Sequence, residues 1–132
     1  MAAACLSLSA SAVAWIGESA SENDPALRLS AELEGGKRYR AGKIGVVELT
    51  GSYRQMGRQY GTLLRGELGT LYRDAIEDFF VKKRGFSEDR LRTIAKSLFD
   101  LYPRRYKEIL YGMAETSGLG IEKHILARII RE

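Results

Sequence analysis

The sequence predicts a mainly helical protein with one or two short β-strands, and three observations carry that prediction. From about residue 52 onward, apolar residues recur at spacings of three and four. Serine or proline stands where successive helices should open, and glycine stands where they should close. Ahead of all of them lies one β-branched apolar run, residues 44–50. At 132 residues, 45% hydrophobic and 29% charged, the chain suits one modest globular domain.

In chain order, residues 1–20 form a signal-like apolar leader. Ala10-Ser11-Ala12 and Ala12-Val13-Ala14 give it overlapping A-x-A cleavage sites, although no basic residue precedes Arg28. Read as a signal, the leader directs the protein to the periplasm or the exterior; otherwise the protein is cytoplasmic. Residues 21–36, with Pro25 and the Gly35-Gly36 pair, read as a polar linker. Residues 37–132 are then the helical part proper.

Residues 37–40 and 44–50 are two extended candidates around Ala41-Gly42, and the second is apolar enough to want cover on both faces. A long helix follows over residues 52–83, with Ser52 as its N-cap. Its stripe is Met56, Tyr60, Leu63, Leu64, Leu68, Leu71, Ala75 and Phe79. Gly57, Gly61, Gly66 and Gly69 weaken such a helix by about 1 kcal/mol each relative to alanine, so some must admit another backbone closely. Gly85 closes the helix after Lys82, Lys83 and Arg84.

Ser87 caps a second helix with the stripe Leu91, Ile94, Leu98 and Leu101. Pro103 opens a third as a first-turn proline. That helix buries Tyr106, Ile109, Leu110 and Met113 and stops at Ser117-Gly118. A fourth, from Ile121 to about Arg131, carries Ile121, Ile125, Leu126 and Ile129, and the sequence stops within it.

The candidate chemistry is sparse. Residues 1–36 hold one basic and five acidic residues, so the remainder carries 20 basic against 12 acidic. An excess of this kind attracts nucleic acid, anionic lipid or an acidic cofactor such as coenzyme A. Its members, among them Arg54, Arg58, Arg65, Arg73, Lys96 and Lys107, are instead scattered along helices as a solvated surface, and no nucleic-acid partner is expected. No run is long enough for an integral membrane span. The single cysteine, Cys5, excludes an internal disulfide and a multi-cysteine zinc site. His124, the only histidine, reads as a surface or boundary residue, and Cys5, in a leader expected to be removed or loose, is not its partner as nucleophile. Asp74, Glu77 and Asp78 read as partners in helical ion pairs with Arg73, Lys82 and Lys83. Gly118-Leu119-Gly120 and Gly35-Gly36 lack the strand-to-helix setting of a phosphate loop, and no cofactor or metal is expected.

The segment Val46-Val47-Glu48-Leu49-Thr50-Gly51-Ser52-Tyr53-Arg54-Gln55-Met56-Gly57-Arg58-Gln59-Tyr60-Gly61 resembles the start of the penicillin acyltransferase-like family of N-terminal-nucleophile hydrolases. That family includes the acyl-coenzyme A:isopenicillin N acyltransferases. The matching signature positions are Gly51, Tyr53, Gly57 and Gly61, followed by Pro103 within Leu101-Tyr102-Pro103-Arg104-Arg105-Tyr106-Lys107-Glu108-Ile109. Gly112-Met113-Ala114-Glu115 and Gly118-Leu119-Gly120-Ile121-Glu122 extend the likeness, which spans about residues 43–132.

The resemblance implies the N-terminal portion, or small chain, of an αββα sandwich. It also implies an autoproteolytic precursor whose new N-terminal cysteine is nucleophile and whose α-amine, with a pKa near 8, is base. In the family that cysteine follows the segment matching residues 126–132, so no catalytic residue is expected in this chain. Its implied partners are a nucleophile-bearing large chain, forming a heterodimer after self-cleavage, and a small-molecule amide or acyl donor. The family often carries an asparagine and an arginine near the end of its last helix. This sequence has Arg128-Ile129-Ile130-Arg131 there, so the resemblance assigns no substrate contact. The rival expectation is an autonomous exported helical binding or adaptor domain without catalysis.

Overall fold

The computed structural model describes residues 27–130, and the expected leader with its Cys5 lies outside them. Three antiparallel strands come first, rather than the one or two expected: β1 (Arg28–Leu33), β2 (Gly36–Ala41) and β3 (Ile44–Glu48), in the order β1-β2-β3. The additional strand falls inside the stretch read as linker. Its Leu29, Ala31 and Leu33 alternate with Arg28, Ser30 and Glu32, a period of two in a polar setting. What fixes it is the turn. Glu34 and Gly35 both take positive φ, 47° and 86°, the geometry that lets a two-residue loop match the twist of a hairpin. Ser30 is bulged between Leu29 and Ala31, and its hydroxyl donates to the Arg38 carbonyl at 3.0 Å. The second hairpin turns at Gly42-Lys43, so Ala41 faces Ile44 and Lys37 faces Glu48.

β3 is not covered on both faces. Ile44 is 68% exposed and Val46 42% exposed. An antiparallel edge strand tolerates that exposure, so the strand's low polarity does not bring the double cover expected of it.

Helix α1 (Tyr53–Leu63) opens as expected at Ser52. The Ser52 hydroxyl accepts from the Gln55 amide, and the Gln55 side chain accepts from the Ser52 amide at 2.8 Å, a complete capping box. Gly51 (φ 97°) makes the bend before it, where a Cβ would lie 2.6 Å from Gln55 Oε1.

The long helix expected over residues 52–83 breaks at Leu64 (φ −118°, ψ 23°) into α1 and α2 (Arg65–Tyr72). It then widens into a π-helical segment, Arg73–Lys83. Hydrogen bonding from i to i+5 takes more residues per turn than an α-helix, so the apolar row drifts. The inward row becomes Tyr72 and Ile76, both buried, with half-buried Leu68 and Phe80, while Leu71 and Phe79, expected in the stripe, are exposed. Gly85 (φ 73°) closes the segment.

Helix α3 (Glu88–Asp100) is capped by Ser87, whose hydroxyl accepts from the Arg90 amide. Here too the face differs from the expected one. Ala95 and Phe99 are buried and Leu91 half-buried, whereas Ile94, Leu98 and Leu101 face outward. Both rows include Leu91; the row with small Ala95 lets α5 (Gly120–Ile130) pack closely, and Phe99 fills the space beyond.

Pro103 sits one position earlier than expected, as the extended N-cap of α4 (Arg104–Ser117), and Gly118 (φ 82°) ends that helix. The core gathers Tyr72, Ile76, Ala95, Phe99, Leu110, Ile125 and Leu126, from the end of α2, the π segment, α3, α4 and α5.

α1 lies against α4 through glycine. A Cβ on Gly57 would fall 2.1 Å from the Ile109 carbonyl oxygen, one on Gly61 2.7 Å from that of Met113, and one on Gly112 2.2 Å from that of Arg54. Gly66 and Gly69 have open space around them. Two of the four helix glycines are therefore there for close approach, and two are not. Thr116 Oγ1 donates to the Arg58 carbonyl at 2.8 Å across the same seam.

Candidate functional site

A cavity of about 330 Å³ opens where α1, α2, α4 and α5 meet, beneath the chain leaving β3. Leu49, Met56 and Tyr60 form one wall, and Leu68 and Leu71 the next. The α4 side supplies Tyr106, Ile109, Leu110 and Met113, with Tyr102 just ahead of it. α5 contributes His124, Ala127 and Arg128. The volume falls within the range of small-molecule sites, roughly 300–1,000 Å³, and so does the character of a mainly apolar wall with few polar groups. Leu71, Tyr106 and Arg128 are exposed and mark the mouth, whereas His124 is 3% exposed and lies inside.

The polar groups come from the α4–α5 turn. Ser117, the last residue of α4, and His124, in the early part of α5, share a hydrogen bond of 2.5 Å between Oγ and Nε2. The Leu119 amide donates to the same hydroxyl at 3.2 Å. Gly118 makes this possible by turning the chain left-handed, so that the end of α4 faces the start of α5. Burial lowers the His124 pKa below the ordinary 6.5, because the apolar surround penalises the imidazolium. The imidazole therefore stands neutral at neutral pH.

A hydroxyl and an imidazole at this distance have the spacing of a nucleophile and its base. The arrangement opposes that role. Ser117 is 3% exposed and is not part of the cavity wall, so the imidazole screens its hydroxyl from anything bound there. The pair locks the turn and presents one polar ring to an otherwise apolar wall.

His124 corrects the sequence reading, which placed it at the surface or its boundary. Ile121 and Arg128 flank it at helical spacing, and Ser117 waits across a tight glycine turn; together these were the available signal.

None of the signature positions lines the cavity. Gly51 shapes the turn, Tyr53 is 46% exposed, Gly57 and Gly61 seat α1 on α4, and Pro103 caps α4. Their effect is indirect: the glycine seam presents Met56 and Tyr60 to the cavity.

A second residue that sequence reasoning missed is Gln59, 1% exposed. Its Oε1 accepts from the Thr50 amide at 3.0 Å, and its Nε2 donates to the Glu34 carbonyl at 2.7 Å and the Thr50 carbonyl at 3.0 Å. This one side chain ties the first hairpin and the end of β3 to α1.

Of the expected ion pairs at helical spacing, Lys82 with Asp78 forms four residues apart at 2.6 Å, whereas Arg73 meets its chain neighbour Asp74 at 3.3 Å. Arg54 and Arg58 both donate to Glu115, whose pKa they hold below the usual carboxylate value. Among the described residues no group of three or more His, Cys, Asp or Glu is placed to hold a metal ion, and no helix is long and apolar enough to cross a membrane. No protein-family model, curated protein or solved structure matches this chain.

Proposed function

We propose that this chain is the helical, pocket-lining part of an autoproteolytic cysteine-nucleophile acyltransferase or amide hydrolase. In this reading the cavity holds the acyl group, and a nucleophile-bearing partner chain completes the site. The observation that carries it is the apolar cavity between α1, α4 and α5, built on the glycine seam that the family signature marks.

Two exposed apolar surfaces support the partner. The β3 edge presents Ile44 and Val46, and α3 presents Ile94, Leu98 and Leu101, the last 80% exposed. An edge strand is a template for further strands, and apolar rows of this kind call for cover.

The test begins with the gene. The reading predicts an in-frame or adjacent cysteine-led segment rich in strand patterns. Co-expressed with this chain, it should yield amide hydrolysis or acyl transfer that is lost on changing that cysteine to alanine. A stop codon with no such segment nearby, or activity indifferent to the cysteine, overturns it.

A second reading, an autonomous helical binding domain, draws on the core closed among α2, the π segment, α3, α4 and α5. Under that reading the chain alone melts cooperatively as a monomer.

A further inference from the structure

The cavity wall is lopsided in charge. Its apolar portion comes from α1, α2 and α4, and its nitrogen-bearing side chains both come from α5. His124 and Arg128 stand one turn apart there, four residues being the spacing that puts two side chains on one helix face. His124 lies inside and Arg128 at the mouth. No carboxylate is among the lining residues, so nothing in the wall offers a counter-charge to a cationic ligand.

We propose that the cavity takes a monocarboxylate with a medium-length apolar tail, its carboxylate at Arg128 and its tail running past His124 between α1 and α4. This rests on the acyl-pocket reading and adds the charge and size of the occupant. Size follows from volume: at roughly 30 Å³ for each water-sized group, about 330 Å³ holds about eleven non-hydrogen atoms, close to the size of decanoate with its carboxylate at the mouth. Charge follows from geometry. A guanidinium carries five N–H donors in a planar fork that matches a carboxylate, so Arg128 receives one while keeping other contacts. The occupant is the acid an amide hydrolase of this kind would release: water adds its hydroxyl to the acyl carbon, the carbon–nitrogen bond breaks, and the amine leaves with the proton.

Calorimetric titration of the full chain at about pH 8, where carboxylic acids are ionised, tests this with decanoate, decan-1-ol and decylammonium. The expected order of affinity is decanoate, then decan-1-ol, then decylammonium. Arg128→Met should weaken decanoate about fivefold, the scale of one partly solvated ion pair, and leave decan-1-ol unchanged. Arg128→Lys should restore part of the loss. Melting curves check that both variants stay folded, and exposed Arg128→Gln replaces either one that does not. Decanoate binding no tighter than decan-1-ol, or an Arg128→Met effect equal on both, overturns the proposal while leaving an apolar acyl pocket standing. Absence of binding by all three overturns both.

Discussion

Replacing Gly57 with alanine sets a methyl group into the closest part of the α1–α4 seam. Its carbon would lie 2.1 Å from the Ile109 carbonyl oxygen, against the 3.4 Å at which ordinary contact begins, and 3.1 Å from Gly112 Cα. The obstruction is backbone, which cannot rotate aside as a side chain does, so the helices must part by about 1 Å or tilt. Overpacking of this kind costs about 3 kcal/mol, and alanine's better helix propensity returns about 1 kcal/mol. The net loss is about 2 kcal/mol, or a drop of about 10 °C in Tm for a domain of this size. Gly112→Ala, whose Cβ would meet Arg54 O at 2.2 Å, should behave alike, and the double variant should lose less than both losses added, because one parting of the helices relieves both clashes. Gly66→Ala is the built-in control: with nothing within 4 Å, it should gain about 1 kcal/mol from propensity alone. Thermal melts by circular dichroism read all four. If Gly57→Ala and Gly66→Ala shift Tm in the same direction, the glycine seam is not where this reasoning puts it.

Further expectations concern the polar groups. Gln59→Leu leaves the Thr50 amide and the Thr50 and Glu34 carbonyls without their partner, at about 3 kcal/mol in total; amide exchange should speed up across β1–β3 more than in α5. The His124 pKa is lowered by burial, so the unfolded chain takes a proton that the folded one refuses. Stability is therefore complete above the unfolded value of about 6.5 and falls as pH drops below it toward the folded value. Melts between about pH 8 and 5 should show that slope flattened in His124→Phe. Ser117→Ala removes the hydrogen-bond partner of His124 Nε2 and should cost about 1–3 kcal/mol by urea unfolding. Ser52→Ala breaks the capping box for about 1 kcal/mol.

Local signals in the sequence read well. Ser52 and Ser87 cap where expected, Gly85 and Gly118 close their helices, and the turn between residues 41 and 44 makes a hairpin. Such features depend on a few neighbouring residues, and the chemistry of each residue type sets them. Facing was harder. In α3 the rows Leu91-Ile94-Leu98 and Leu91-Ala95-Phe99 both fit a helix, and only the approach of α5 chooses the second. After Tyr72 the π geometry changed the period on which the stripe had been read, which is why Phe79 and Phe80 exchange roles. β1 was hidden because its pairing rests on the Glu34-Gly35 turn and a bulge at Ser30, neither of which a polar stretch announces. The candidate site was the least legible part. Ser117 and His124 meet across a turn, and the cavity draws on four helices, so neither exists until the packing does.

The central claim is that the space between α1, α4 and α5 holds an apolar chain. Methyl NMR with labelled methionine and isoleucine side chains tests it most directly, using decan-1-ol as titrant. Met56, Met113 and Ile109 line the cavity, whereas Ile44 on β3 and Ile94 on α3 are exposed and are not among its lining residues. The account predicts saturable shifts at the first three resonances, no change at the other two, and loss of the response when Ala127→Trp fills the cavity. Shifts spread evenly over all five, or none at Met56 and Met113, would contradict it.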